Sequence, residues 1–163
     1  MSDQLRLIFM GNAGVGKTTM ARSILKIRNI PRLSLDEIAW GEAAVRKPHS
    51  ESLGELMKFI TQNSEWIIEG CYSDLIEEAI PFCTELRFLN PGVSTSISHC
   101  KKRPWEPEKF ASREEQNQHL ETLLEWVGQY ETRTDEYGLS RHREIFTKFQ
   151  GKKTEYKDVS EYD

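Results

Sequence analysis

The chain lacks any apolar run near the roughly 18 residues that a membrane-spanning helix needs, and no basic-then-apolar leader opens it. It is therefore expected to be cytoplasmic, with no membrane partner. Cysteine is scarce: Cys71, Cys83 and Cys100 are odd in number and far apart, which implies neither a disulfide framework nor a paired zinc site. Positive charge is not in excess either. Lys and Arg total 22 against 26 Asp and Glu, a formal charge of −4, which opposes broad, sequence-blind binding to nucleic acid. No internal repeat, low-complexity block or linker interrupts the chain, so its 163 residues are expected to build one domain around one core.

What is present is an alternation of apolar strand-like runs and helical periodicities. Leu5–Met10 reads as a strand covered on both faces, and residues 16–26 as a helix with Met20, Ala21, Ile24 and Leu25 on one side. Arg32–Asp36, Glu65–Gly70 and Glu85–Asn90 read as three further strands, and Lys152–Tyr156 as a fifth at an edge. Helices are expected over 52–61 (Ser52 and Glu55 as capping box), 73–80 (stopped near Pro81), 93–103, from Ser112 onward (Ser112 and Glu115 as capping box) and over 140–149. The acidic end, residues 158–163, reads as a loose tail. Such alternation requires crossover connections, hence an α/β fold with a five-stranded parallel sheet flanked by helices.

The most informative string is Gly11-Asn12-Ala13-Gly14-Val15-Gly16-Lys17-Thr18. It matches the phosphate-binding loop pattern and sits where that loop must sit, after a strand and at the start of a helix. The glycines allow turns in which several backbone amides converge on one anion. The helix N-terminus adds unpaired N–H groups and a positive dipole end. Lys17 supplies a cation for the terminal phosphates, the Thr18 hydroxyl a magnesium ligand, and Thr19 a contact to the innermost phosphate. The implied ligands are ATP and magnesium. A guanine-reading Asn-Lys-x-Asp string is absent, and 163 residues are too few for a large motor or transporter ATPase.

The chain resembles the adenylate-kinase-related small P-loop kinases, and within them the FlaR-like or "DNA topology modulation" group. The resemblance rests on "GNAGVGKTTMAR", on "LSLDEIAW" with Asp36 and Trp40, and on "EWIIEGCY", and covers about the first 75 residues. It implies a P-loop NTPase fold with a small helical lid and an acidic position, here Asp36, facing the phosphate acceptor. Related members carry Asp-Gly-Asn-Tyr where this chain has Glu69-Gly70-Cys71-Tyr72, and the arginine-dense lid of adenylate kinases has no clear counterpart.

The residues at the carboxyl edge of the sheet are the candidates for chemistry. Asp36 is expected to orient or deprotonate an acceptor hydroxyl, Trp40 to wall its pocket, and Arg46, with Lys47, to contact it. Glu69 is expected to hold magnesium with Thr18. Lys101, Lys102 and Arg103 precede a Pro-bounded stretch in the place of a lid, residues 101–119. Arg103 is the first choice for a cation closing over the phosphates, Arg113 the second, with Arg133 and Arg141 behind them. The four histidines lack ligand spacing and read as surface or capping groups. The expectation is a phosphotransferase moving a phosphoryl group from ATP to a nucleoside monophosphate or a small hydroxylated metabolite, as a monomer or homodimer. A nucleotide-binding regulatory module with weak ATPase activity is the alternative, and a DNA-associated factor, resting on "KKRPW", is a more distant one.

Overall fold

The computed structural model describes residues 4–42, 45–107 and 110–162. Its centre is β1, Arg6–Gly11, whose apolar residues alternate between two packed faces. Leu7 and Phe9 join Val15, Met20, Ala21, Ile30, Ile67 and Leu89 beneath helix α1, Lys17–Leu25. Ile8 and Met10 point the other way, into a larger cluster with Trp66, Ile68, Leu86 and Phe88. This period-two alternation, apolar on both sides, is what a strand buried between helix layers requires.

The remaining elements follow in the expected order. Strand β2 is Arg32–Ser34, β3 is Trp66–Gly70, β4 is Glu85–Leu89 and β5 is Lys152–Tyr156. The helices are α2, Asp36–Ala39; α3, His49–Gln62; α4, Ser73–Ala79; α5, Val93–Lys101; α6, Arg113–Gly128; and α7, Leu139–Lys148. All five strands are parallel in the order β2-β3-β1-β4-β5. The strand order therefore reverses beside β1, and an open parallel sheet binds ligands at the carboxyl edge of such a switch. α2, α3, α4 and α7 supply the larger cluster, and α1 the smaller.

Several boundaries differ from expectation, each for a local reason. β2 ends at Ser34, and Asp36 opens the short α2 rather than closing the strand. α3 starts at His49, behind Pro48, so Ser52 is not a cap. It lies buried inside the helix, and its hydroxyl donates to the Ile38 carbonyl at 2.7 Å, joining α3 to α2. Its expected partner Glu55 pairs instead with Lys47 at 2.9 Å. α4 does end near Pro81, at Ala79, and Pro81 itself lies in the first turn of a 3-10 helix, Ile80–Phe82, where a missing N–H is harmless. The cap at Ser112 is present, its hydroxyl accepting from the Glu115 amide at 3.1 Å, while the Glu115 carboxylate accepts from the Ala111 amide.

The expected loose tail is folded as far as Tyr162. Asp158 caps a 3-10 turn, Val159–Glu161. The Tyr162 ring then meets Tyr156 edge-on at 5.7 Å.

Ile68 lies at the middle of β3 with no exposed surface. Ile68→Ala is expected to cost about 2–5 kcal/mol in urea unfolding. Ile27→Ala, at a side chain 86% exposed, is expected to change stability by no more than about 0.5 kcal/mol.

Candidate active site

The loop from Gly11 to Lys17 turns the chain from β1 into α1. Gly14 has φ +79° and Gly16 φ +97°, values that side-chain-bearing residues rarely adopt. Gly16 is the N-cap of α1 and offers no side chain to its amides, so the first-turn N–H groups face whatever binds there. Three parts of the fold brace the loop from outside. Asn12, almost wholly buried, accepts from the Ala13 amide at 2.9 Å and donates to the Val127 carbonyl in the last turn of α6 at 3.2 Å. The Gly14 carbonyl meets His99 Nδ1 on α5 at 2.7 Å. The Tyr162 hydroxyl donates to the Val15 carbonyl at 2.6 Å, and its ring covers Gly16. Lys17 Nζ is held by the Gly11 and Asn12 carbonyls at 3.1 and 2.6 Å, on the rim of its own loop. Thr19 is exposed on the first turn of α1.

The next strand ends deliver carboxylates to the same edge. Glu69, on β3 and 5% exposed, accepts from the Thr18 hydroxyl at 3.1 Å and pairs with Arg32 at 3.4 Å. A hydroxyl and a carboxylate beside a phosphate-binding loop form a hard oxygen donor set suited to magnesium, which takes its other ligands from water and phosphate. No group of three or more His, Cys, Asp or Glu that could hold a metal exists among the described residues. Asp36 accepts a short hydrogen bond from the Tyr72 hydroxyl, which itself accepts from Trp40 Nε1 at 2.8 Å. Burial, and then the Asp36 charge, push the Tyr72 phenol far above its ordinary range, so it stays a donor. Burial raises the Cys71 thiol to about 12; Lys17 opposes this, while Asp36 and Glu69 add to it.

The basic candidates divide sharply. Arg46 is ion-paired with Glu136 at 2.8 Å and Asp74 at 3.2 Å, donates to the Tyr137 hydroxyl at 2.7 Å, and lies over the Tyr72 and Trp40 rings. Lys47 is taken by Glu55. Arg103 and Arg113 share a cleft of about 360 Å³ with Trp105, Gln116 and Asn117. Arg133 is not available as a lid cation: it pairs with Asp135 at 2.7 Å and stacks over Trp126. Nor is Arg141, which pairs with Glu77 at 2.9 Å.

Sequence reasoning missed Tyr72, Asp74, Glu136, Tyr137 and Tyr162, and misjudged one histidine. Tyr72 stands inside the third motif, two residues after the strand-end Gly70. Residues 136 and 137 gave no local signal, because only the return of the chain before α7 brings them to Arg46. His142 is neither superficial nor a cap. It is fully buried, with Nδ1 2.7 Å from the Tyr130 hydroxyl and Nε2 2.8 Å from the Cys71 carbonyl. That arrangement suits a neutral ring donating from Nε2 and accepting at Nδ1. Burial lowers its pKa to about 4 from 6.5.

No family model and no curated protein matches the sequence. Solved structures do match. Shikimate kinase from Bacteroides thetaiotaomicron has a TM-score of 0.55 at 17% identity, over 98% of this chain and 88% of that one. A gluconokinase from Sinorhizobium meliloti 1021 has a TM-score of 0.51 at 16% identity, over 95% of this chain and 84% of that one. The fold is thus the α/β P-loop fold, and both neighbours are small P-loop kinases.

A Cβ on Gly14 would lie 2.6 Å from the Ser96 carbonyl oxygen and 2.7 Å from Cys100 Sγ. Gly14→Ala is therefore expected to lose about 2–4 kcal/mol in urea unfolding, from strain and collision together. Gly92→Ala, with φ +102° but open space around it, is expected to lose only the strain, about 1–2 kcal/mol. His142 gives a separate expectation. Between pH 6.5 and 4 the unfolded chain takes up its proton before the folded one does. Stability is therefore complete above pH 6.5 and falls on acidification, by on the order of 3 kcal/mol at pH 4. His142→Asn should flatten that part of a stability–pH curve.

Proposed function

We propose that the protein is an ATP- and magnesium-dependent phosphotransferase acting on a small hydroxylated acceptor. The observation that supports this best is the pairing of two functional halves at one sheet edge. A glycine loop with Lys17 and the Thr18–Glu69 contact lies on one side, and an Asp36 carboxylate set by Tyr72 on the other. The kinase folds of the two structural neighbours support the same reading, as does the resemblance carried by the first three motifs.

In this reading, residues 11–19 hold the triphosphate through backbone amides, Lys17 leaves its loop carbonyls for the terminal phosphates, and Thr18 with Glu69 holds the ion. Bound magnesium would neutralise charge on the phosphate oxygens. Tyr72 occupies one oxygen of Asp36, leaving the other to receive the proton of an acceptor hydroxyl. That hydroxyl oxygen forms a bond to the γ-phosphorus as the bond to the β-phosphate oxygen breaks, and ADP departs. Arg103, with Arg113, closes over the spreading charge.

One observation favours the second reading, a nucleotide-binding regulatory module with weak ATPase activity. Arg133 and Arg141 are committed to ion pairs elsewhere, so lid cations are few. Acceptor-dependent ADP release separates the two. A kinase must show it, and a module would bind nucleotide without acceptor stimulation. Lys17→Ala is expected to lower turnover at least about 100-fold while moving stability by less than about 1 kcal/mol. Retained turnover in that variant would remove Lys17 from the chemistry.

A further inference from the structure

The acceptor side of the site is unlike a site built for an acid. Apart from Lys17, which its loop carbonyls hold, the described basic side chains on this side already face acids. Arg32 pairs with Glu69 at 3.4 Å, Lys47 with Glu55 at 2.9 Å, and His49 lies 3.4 Å from Asp74. Arg46 is engaged at both terminal nitrogens, while its buried Nε has no partner among the described residues. One terminal nitrogen reaches both Glu136 and the Tyr137 hydroxyl, the other reaches Asp74, and the guanidinium carbon lies 4.9 Å from the Tyr72 ring centroid and 5.9 Å from that of Trp40. Asp74 and Glu136 thus share a single guanidinium, and Asp36 lies on the far side of Tyr72 from it. Lys17, held only by its loop carbonyls, has no ion pair among the described residues, and Arg103 and Arg113 lie together in the lid cleft; all three would serve the phosphates.

A carboxylate or phosphate on the acceptor would meet the Asp36 charge directly. To gain a cation it would have to displace Asp74 or Glu136 from Arg46. An uncharged hydroxyl would instead find carboxylate oxygens ready to accept, and a protonated amine would find an attractive field. Trp40 is 41% exposed although its indole N–H is tied to Tyr72. Its ring offers an apolar face suited to the C–H side of a polyol or to an ammonium group.

We propose that the acceptor is a hydroxylated compound, neutral or carrying an amine, with no carboxylate or phosphate group of its own. This rests on the phosphotransferase reading and narrows it, setting aside the nucleoside monophosphates. Arg46 then becomes a positioning residue that holds Trp40 and Tyr72 in place through its stacked guanidinium, rather than a contact to the acceptor.

The test uses the whole protein saturated with a non-hydrolysable ATP analogue and magnesium. Tryptophan fluorescence is titrated with pairs of compounds differing by one acidic group: a hexose and its aldonic acid, an amino sugar and a uronic acid, a nucleoside and its monophosphate. The neutral or amino member of at least one pair is expected to bind at least tenfold tighter than its acid partner, and to support ADP release with ATP. Equal or tighter binding of the acid members overturns the inference, and so does a panel in which no member binds. Failure of the ATP analogue itself to bind would instead overturn the phosphotransferase reading. The double variant Asp74→Asn/Glu136→Gln frees Arg46 and is expected to bring the acid members at least fivefold closer to their partners. No such gain in a variant that remains folded by circular dichroism would also count against the inference.

Discussion

Everything at this site depends on a chain reversal that only glycine tolerates. Between Gly11 and Lys17 the backbone leaves the central strand, passes twice through positive φ, and enters α1 with no side-chain cap. An uncapped helix start beside a lysine is unfavourable on its own, since it concentrates positive charge and leaves amides unpaired. The fold holds it there by bracing. Asn12 reaches α6, His99 reaches back from α5, and Tyr162 ties the Val15 carbonyl to the end of the chain. The loop's shape is thereby set before any ligand arrives, and a polyanion is the ligand that would relieve the charge.

The opposite side of the site is organised by a second constraint, the double ion pairing of Arg46. Its guanidinium is flanked by two aromatic rings and bound by two carboxylates and a phenol. Such a group gives rigidity rather than reach, because any ligand would have to compete with partners already in place. Rigidity passes from Arg46 to Tyr72 and Trp40, and from Tyr72 to Asp36, so the Asp36 carboxylate is fixed by a chain of side-chain contacts. His142 plays a similar part beneath the floor, holding the Cys71 carbonyl where β3 gives way to α4.

The sheet was legible in the sequence because the central strands are short, apolar and bounded by turn residues, and because helices separate the strands, so that the connections had to cross over. The phosphate loop was legible because its residues are contiguous. What sequence could not supply were contacts made by distant returns of the chain: Glu136 and Tyr137 meeting Arg46, or Tyr162 meeting Val15. Local signals also misled where two were compatible with the same residues. Ser52 and Glu55 have the spacing of a capping box, yet Pro48 starts the helix a turn earlier and turns Ser52 inward to Ile38. The acidic end looked unstructured by composition, but Tyr162 packs on Tyr156 of β5 and bonds the Val15 carbonyl, which seats it against the loop.

The claim at the centre of this account is that the backbone amides of residues 13–18 grip a polyphosphate. The most direct measurement is a nitrogen–proton correlation spectrum of the labelled protein, titrated with ATP and magnesium. The account predicts large, saturable shifts concentrated on the Gly14, Gly16, Lys17 and Thr18 amides, with smaller ones at Val127 and Tyr162. Saturating nucleotide that leaves those four amides unmoved would contradict it.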